Sequence, residues 1–116
     1  MFVAGELVPN LSIQDAGGVA YNLWDFRQKS HLALIYDPSS GPEALTERAA
    51  AISARQKEWD WLNVKIILVS ATDPHTLNTG LHVIDRHGRL IKSFPLTRDL
   101  LAELESELIY YEARHC

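Results

Sequence analysis

The sequence predicts an α/β protein in which helices cover a mixed β-sheet. Two continuously apolar runs flank a long helical pattern, short strand-like runs separated by glycine-containing turns lie on either side, and an amphipathic helix ends the chain. The chain has 116 residues, of which 47% are hydrophobic, and this length suits one core rather than two. We therefore expect a single domain over residues 1–116 with the order ββ, βαβ, ββα.

The N-terminal part predicts a β-hairpin. Residues 11–13 and 19–23 are strand-like, and they flank Asp15-Ala16-Gly17-Gly18. Glycine adopts positive φ without a steric penalty, which is typical of such a turn. Residues 24–27 (WDFR) then form a short turn that leads into the next strand.

A βαβ unit is predicted at the centre of the chain. Residues 31–36 (HLALIY) and 64–69 (VKIILV) are apolar without strict alternation, which favours buried strands. Between them, residues 42–62 have helical periodicity, and Asn63 suits the position that ends a helix. This order predicts a right-handed crossover between parallel strands. The stripe expected to be buried is Leu45, Ala49, Ile52 and Trp59, with Gln56 interrupting it.

The last third predicts a second hairpin and a final helix. Residues 81–84 and 90–94 flank the turn Asp85-Arg86-His87-Gly88 and should pair in antiparallel fashion. Thr97 is a candidate cap for a helix that continues to about residue 113. Its inner face should be Leu101, Leu104, Leu108 and Tyr111.

Composition and charge exclude several function classes. A formal net charge of −4 leaves no basic patch for nucleic acid, and no apolar run approaches the length of a membrane span. The N-terminus shows no signal-peptide pattern, and one cysteine cannot form an internal disulfide, so we expect a cytoplasmic protein. The five histidines lack metal-ligand spacing, and the nearest carboxylate–imidazole pair, Asp73 and His75, lies in a turn-rich loop. We expect neither a metal nor a cofactor.

Three segments carry a resemblance to a known family. Residues 5–11 (GELVPNL), 18–26 (GVAYNLWDF) and 83–90 (VIDRHGRL) are similar to its G-x-x-x-P-x-F, G-x-x-x-x-L-x-D-F and x-I-D-x-x-G-x-I segments, in the same order. The chain thus resembles the thioredoxin-like superfamily, specifically its peroxiredoxin-like branch (alkyl hydroperoxide reductase and thiol-specific antioxidant proteins, and TlpA-like relatives). The resemblance implies a thioredoxin-like sandwich and the activity of a thiol peroxidase or disulfide oxidoreductase.

The active-site motif departs from that family. Ser40-Gly41-Pro42-Glu43 stands where a thioredoxin-type enzyme has Cys-Gly-Pro-Cys. If the segment is aligned instead with the peroxiredoxin motif Pro-x-x-x-Thr-x-x-Cys, starting at Pro38, then Pro42 falls at the threonine and Leu45 at the cysteine. Neither alignment places a cysteine at a catalytic position, and both reactions need its thiolate.

Two further departures concern the segment before the second hairpin. Thr79 occupies the position of the family's cis-proline, and we expect a trans bond because a non-proline cis bond costs about 3–4 kcal/mol. The segment between the strand ending near residue 70 and the strand starting near residue 81 is too short for the family's helix. We expect that helix to be missing and apolar surface to be exposed beside residues 71–78.

The motif at residues 40–43 has two interpretations. Ser-x-x-Glu at a helix start predicts a capping box, in which the Ser40 oxygen accepts from the third helical amide and Glu43 reaches back to the cap amide. Alternatively, the free amides together with Ser39 or Ser40 bind a small anion.

Two functions remain open from the sequence. The first is a redox-inactive domain that binds a protein partner or a second copy of itself as a homodimer. Its contact surface would comprise Pro38, Ser39, Ser40, Glu43, Thr79, Gly80 and Trp61, with the surface beside residues 71–78 as a second candidate.

The second function is a thiol-dependent antioxidant oxidoreductase that uses Cys116. Arg114 and His115 precede this cysteine, and positive neighbours lower a thiol pKa. The alternative for Cys116 is an incidental thiol at a frayed chain end. Trp61 and one of Tyr110 and Tyr111 should face away from the core, because neighbours on a helix do not share a face. Trp61 then either packs under a loop or belongs to a contact surface.

Overall fold

A computed structural model describes residues 3–15, 17–38, 41–71, 77–96 and 100–115. Within them the chain forms six strands, a short 3₁₀ turn at Leu23–Phe26 and three α-helices. The strands are β1 (Ser12–Asp15), β2 (Ala20–Asn22), β3 (His31–Tyr36), β4 (Val64–Ala71), β5 (Gly80–Ile84) and β6 (Leu90–Phe94). The helices are α1 (Pro42–Ala54), α2 (Gln56–Trp61) and α3 (Leu100–His115).

The six strands form one mixed sheet in the order β2-β1-β4-β3-β5-β6. β3 and β4 are parallel, with His31 opposite Val64 and Tyr36 opposite Val69. The other pairs are antiparallel, including both predicted hairpins. The expected central parallel pair, with the β5–β6 hairpin beside β3, is confirmed.

The helices cover one face of this sheet. Trp59 and Leu62 around α2, and Leu104 and Leu108 of α3, are almost fully buried against it. Burying each of these large side chains stabilises the fold by about 1.5–3 kcal/mol. In α3 the predicted Leu104, Leu108 and Tyr111 are buried and Leu101 is half-buried. Thr97, the expected cap, lies outside the described residues.

The other face of the sheet is covered, among the described residues, by a second apolar cluster. Ile67 and Val69 of β4 are 2% and 3% exposed, because Val8, Leu23 and Leu77 pack over this face in a second apolar cluster. No helix occurs in the described stretch 77–79, and residues 72–76 and the Ala71 side chain lie outside the described part. The predicted apolar surface beside residues 71–78 stays a prediction, since only Leu77, which is buried, and Asn78, which is exposed, have described side chains in that segment.

The single helix predicted over residues 42–62 is also wrong, since the helix breaks at Arg55. This residue has φ −116° and ψ 24°, outside the helical range, so α1 ends at Ala54 and α2 starts at Gln56. Asn63 ends α2 with φ 55°, as expected. Of the predicted stripe, Trp59 is buried and Leu45 and Ile52 are half-buried. Ala49 is exposed, so the predicted stripe is not buried along its whole length.

Candidate functional site

The structure brings most of the predicted contact residues to one end of the sheet. Tyr36, the last residue of β3, lies opposite Gly80, the first residue of β5. Pro38 and Thr79 extend from this pair, and α1 begins a few residues later at Pro42. We call the region that contains Pro38, Gly41, Glu43, Thr79 and Gly80 the α1 end; Gly80 is buried there, and the other four residues are exposed. Ser39 and Ser40 belong to the same stretch of sequence and lie outside the described residues.

The helix start differs from the predicted capping box. Gly41 is the N-cap of α1, with extended φ −77° and ψ 173°, and within the described part of the chain no side chain caps the helix; Ser40 lies outside that part. Pro42 occupies the first helical position, where its fixed φ is favourable and its missing N–H costs little. Glu43 therefore lies one position too early to close a capping box. It instead places a negative charge in the first turn, where the helix dipole favours it.

Glycine is required at residue 80. Its φ is +141°, and a Cβ built there would lie 2.6 Å from the carbonyl oxygen of Phe94. Strands β5 and β6 approach each other too closely at this point for any side chain. The peptide bonds among the described residues are trans, including the bond before Thr79.

His82 ties the segment before β5 to the edge strand β6. Its Nε2 lies 2.7 Å from the carbonyl oxygen of Asn78, and its Nδ1 lies 2.8 Å from Oγ of Ser93. The carbonyl only accepts, so Nε2 carries the proton and Nδ1 accepts from Ser93 in the neutral form. Burial lowers the pKa of His82, and the bond to Asn78 partly offsets this effect. In the sequence, nothing distinguishes His82 from an ordinary residue of the strand predicted over residues 81–84.

An ion pair that the sequence did not predict supports the junction between β3 and α1. Asp37 follows β3, and its Oδ2 lies 3.3 Å from Nη1 of Arg48. The Asp37 side chain is only 9% exposed, so the pair is substantially desolvated. The sequence contained a pattern that could have indicated this ion pair: Asp37 directly follows a predicted buried strand, and Arg48 lies about two turns into the following helix.

A groove of about 450 Å³ runs between α1 and α3 beside the α1 end. Ile35 forms its floor, Ala44 and Ala51 line it from α1, and Leu101 and Ala102 line it from α3. Glu47, Arg48 and Arg55 add the polar groups. Sequence reasoning missed this groove because it treated the helix over residues 42–62 as packed along its whole length.

Trp61 does not belong to the α1 end. Its side chain is 81% exposed, so it does not pack under a loop. Trp61 is the last residue of α2, and Asn63 follows two residues later. The carbonyl of Asn63 accepts a hydrogen bond of 2.8 Å from the amide of His31, which is the first residue of β3. Trp61 therefore lies at the opposite end of the sheet. Tyr110 is 57% exposed and Tyr111 is 7% exposed, as the helical spacing predicts.

The described residues contain no cluster of three histidine, cysteine or acidic side chains that would hold a metal ion. His31 accepts a hydrogen bond from the amide of Arg86, and His82 is bonded through both nitrogens. Asp73 and His75 lie outside the described residues. Among the helices that the structure describes, none is long and apolar enough to cross a membrane.

The position of a redox thiolate is occupied by other groups. The chain has one cysteine, Cys116, and residues 40–43 contain none. Cys116 lies outside the described residues, directly after α3. That helix runs away from the α1 end, because Tyr111 near its C-terminus packs edge-on against His31 at the start of β3. The residues at the positively polarised start of α1 include no cysteine, although this is where the chemistry needs a thiol.

No protein-family model matches the chain, and no curated protein matches it significantly. Among solved structures, the mitochondrial 2-Cys peroxiredoxin of Plasmodium falciparum superposes with a TM-score of 0.69 over 94% of each chain, at 13% identity. Peroxiredoxin Q of Xanthomonas campestris superposes with a TM-score of 0.69 over 97% of this chain and 99% of its own, at 14% identity. A thiol:disulfide interchange protein from Bacteroides sp. superposes with a TM-score of 0.58 over 90% of each chain, at 11% identity.

At such identities these likenesses show the fold alone. The resemblance inferred from the sequence is confirmed at this level, since the similar structures include both peroxiredoxins and thiol:disulfide interchange proteins. The chain has a thioredoxin-like fold of the peroxiredoxin-like kind, and its one cysteine is at position 116 instead of at the start of the first helix.

Proposed function

We propose that this protein is a redox-inactive thioredoxin-like domain that binds a protein partner. One observation carries the proposal: the chain's one cysteine is at position 116, and Ser40 and Glu43 stand where the sequence resemblance expects the two cysteines of a thioredoxin-type enzyme. Thiol peroxidation and disulfide exchange both begin with a thiolate, and neither serine nor glutamate replaces it. A thioredoxin-like domain without the catalytic cysteines still presents a folded surface. We infer that this surface serves to bind a protein.

The contact surface in this proposal is the α1 end, together with Ser39 and Ser40. Thr79 and Glu43 are exposed there, on loop and helix-start positions held by the rigid strands β3 and β5. Loops fixed on a rigid sheet are a common location for function. The partner is another protein or a second copy of this chain. We place the complex in the cytoplasm, since one cysteine offers no internal disulfide to an oxidising compartment.

The test is affinity capture from the native cell with the full chain as bait. Ser40→Arg and Thr79→Arg place a bulky charge on the α1 end, and both should reduce capture of the partner. Trp61→Ala changes the opposite end of the sheet and serves as the matched control, which should capture the partner as the wild type does. If the wild type retains no partner, or if both arginine variants retain it at full strength, the proposal fails.

The rival function is thiol-dependent antioxidant activity through Cys116. It predicts peroxide consumption by the wild type that Cys116→Ser loses, and an intermolecular disulfide after oxidation. Partner binding that is unchanged in Cys116→Ser favours the proposal over this rival.

A further inference from the structure

Strand β4 has an open edge over about half of its length. In the sheet order β4 lies between β1 and β3, and β3 pairs with it from Val64 to Val69. Among the described residues, β1 pairs with β4 only at Val69 and Ala71. Residues 64–68 therefore have a neighbouring strand on one side only. We call the other side of residues 64–68 the β4 edge.

The turn that follows β1 leaves this edge open. Oδ1 of Asp15 accepts hydrogen bonds of 2.9 Å from the amides of Gly17 and Val19, which is the pattern of an aspartate-supported turn. The turn directs the chain back into β2, so the pairing of β1 with β4 stops opposite Val69. Oδ2 of Asp15 accepts from the Tyr21 hydroxyl at 3.3 Å. Both carboxylate oxygens of Asp15 therefore already have donors.

The ladder between β3 and β4 shows which main-chain groups face the β4 edge. The amide of His31 donates to the carbonyl of Asn63 at 2.8 Å, and the parallel register continues from there without a shift. Alternate residues of a strand direct their N–H and C=O groups to the same side. Lys65 and Ile67 are therefore bonded to β3, and the groups of the residues next to them point away from it.

The N–H and C=O groups of Val64 and Ile66 point to the β4 edge. Within the described part of the chain, no other residue donates to these groups or accepts from them. An unpaired row of this kind is a template for a further strand, because an extended chain carries matching donors and acceptors at the same spacing. Residues 64–68 span about 13 Å, which a segment of about five residues matches.

A cleft of about 290 Å³ lies along this edge. Residues 65–68 line it together with Ala49 and Ile52 of α1 and with Tyr21 of β2. Ile52 packs against the apolar cluster on the helix-covered face of the sheet, and Tyr21 packs against the cluster on the opposite face. The β4 edge is thus recessed between groups from both faces. This shape suits a single extended segment and obstructs a whole second sheet.

Lys65 places a positive charge beside the β4 edge. Its side chain is exposed, and its Nζ lies 5.8 Å from the centre of the Tyr21 ring. It forms no ion pair with any described residue. Asp15 also lines the cleft, but its two oxygens already accept hydrogen bonds. An acidic side chain on an incoming segment would therefore be attracted to Lys65.

We propose that the β4 edge binds an extended segment of a protein partner by strand addition. The segment pairs with the main-chain groups of Val64 and Ile66, places an apolar side chain against Ala49 and Ile52, and directs a glutamate or aspartate towards Lys65. This site is separate from the α1 end, because residues 64–67 lie opposite the first four residues of β3 and the α1 end follows the last one.

The test titrates a short fluorescently labelled peptide with the full chain. In this peptide valine alternates with threonine, and a glutamate replaces the central threonine. The wild type should bind it. Two further versions carry N-methyl groups, one on the odd and one on the even residues. Strand addition uses only one edge of the peptide, so one version should bind at least about tenfold more weakly and the other should bind as the unmethylated peptide does.

Two matched pairs of variants locate the site on the chain. Lys65→Glu should weaken peptide binding about tenfold. Lys92→Glu makes the same change at an exposed lysine of β6, whose Nζ also lies over an aromatic ring, and should have no effect. Ala49→Gln narrows the cleft and should weaken binding. Ala50→Gln makes the same change at the next exposed residue of α1, which does not line the cleft, and should have no effect.

Amide hydrogen exchange tests the open edge itself. In the free protein the amides of Val64 and Ile66 should exchange faster than those of Lys65 and Ile67, and the peptide should slow them. Equally slow exchange of all four amides shows a closed edge and overturns the proposal. Equal binding of the two N-methylated peptides, or equal effects within each pair of variants, also overturns it. If no peptide binds, and sedimentation shows a wild-type dimer that Ala49→Gln dissociates, the occupant is a second copy and the assignment to a partner is wrong.

The outcome for this site is distinguishable from the outcome for the α1 end. Thr79→Arg should leave peptide binding unchanged, because Thr79 lies outside the cleft. A wild type that captures a partner in the cell and loses it in Thr79→Arg, but binds no peptide, retains the function of the α1 end and overturns strand addition.

Discussion

The indole of Trp59 donates a hydrogen bond of 3.0 Å to the main-chain carbonyl of Ile52, across the break between α1 and α2. The same carbonyl also accepts from the amide of Arg55, and the Arg55 guanidinium lies 4.8 Å from the centre of the Trp59 ring. A side chain thus satisfies a backbone group at the point where the helix is interrupted. This arrangement joins α2 to the last turn of α1 across the break at Arg55.

Removal of this indole should destabilise the protein strongly. We expect Trp59→Ala to lower the free energy of unfolding by about 3–5 kcal/mol, because Trp59 is 1% exposed. Urea denaturation measures the change. Trp61→Ala is the control, since the exposed Trp61 should contribute less than about 0.5 kcal/mol. Equal effects of the two substitutions would show that Trp59 is not the anchor.

A side chain at residue 80 should disrupt the pairing of β5 with β6. We expect Gly80→Ala to cost more than about 2 kcal/mol, from its positive φ and the 2.6 Å approach of a Cβ to the Phe94 carbonyl. Gly17→Ala is the matched control, since a Cβ there meets only an ordinary contact of 3.4 Å. Thermal denaturation compares the two variants. A Gly80→Ala protein as stable as Gly17→Ala would contradict the described strand geometry.

Tyr111 anchors α3 through a buried hydrogen bond. Its hydroxyl donates to Oδ2 of Asp85 at 3.1 Å. Tyr111→Phe leaves a carboxylate oxygen without this donor, and we expect a loss of about 1.5–3 kcal/mol in urea denaturation. Tyr110→Phe removes the same atom from the exposed neighbour and should cost less than about 0.5 kcal/mol. A ranking in the opposite order would refute the anchoring role of Tyr111.

Stability should depend on the titration of His82. Because burial lowers the native pKa of His82 below its usual 6.5, the unfolded chain binds this proton more readily than the folded protein does. The free energy of unfolding therefore falls as pH drops through about 6.5, and this contribution levels off below the native pKa. His82→Gln removes the titrating group, so its stability should decline less steeply over that interval. Parallel pH profiles from urea denaturation would exclude His82 as the source.

The strands were the part of this fold that the sequence predicted best. The apolar runs of β3 and β4 favour buried strands, and the turn residues at positions 15–18 and 85–88 are typical of hairpins. The helix break could not be predicted, because Arg55 is a good helix former and its conformation depends on contacts with Trp59 and Glu105. The hydrogen bonds of His82 likewise depend on how the fold places Asn78 and Ser93, which lie outside its own strand.

The candidate site was predicted in part. The positions of Pro38, Glu43, Thr79 and Gly80 at one end follow from strand direction alone, which the sequence supplies. Trp61 was predicted to belong to the same contact surface because its side chain should be exposed. Exposure does not indicate at which end of the sheet a residue lies. The N-cap is Gly41 instead of the predicted Ser40, because a helix boundary inferred from a motif is uncertain by a residue or two.

The absence of thiol chemistry is the central claim, and peroxide consumption tests it most directly. The assay measures loss of hydrogen peroxide with a dithiol reductant present, for the wild type and for Cys116→Ser at equal concentration. We expect both proteins to consume peroxide no faster than the reductant alone, since no cysteine stands at the start of α1. Catalytic turnover by the wild type that Cys116→Ser abolishes would contradict it.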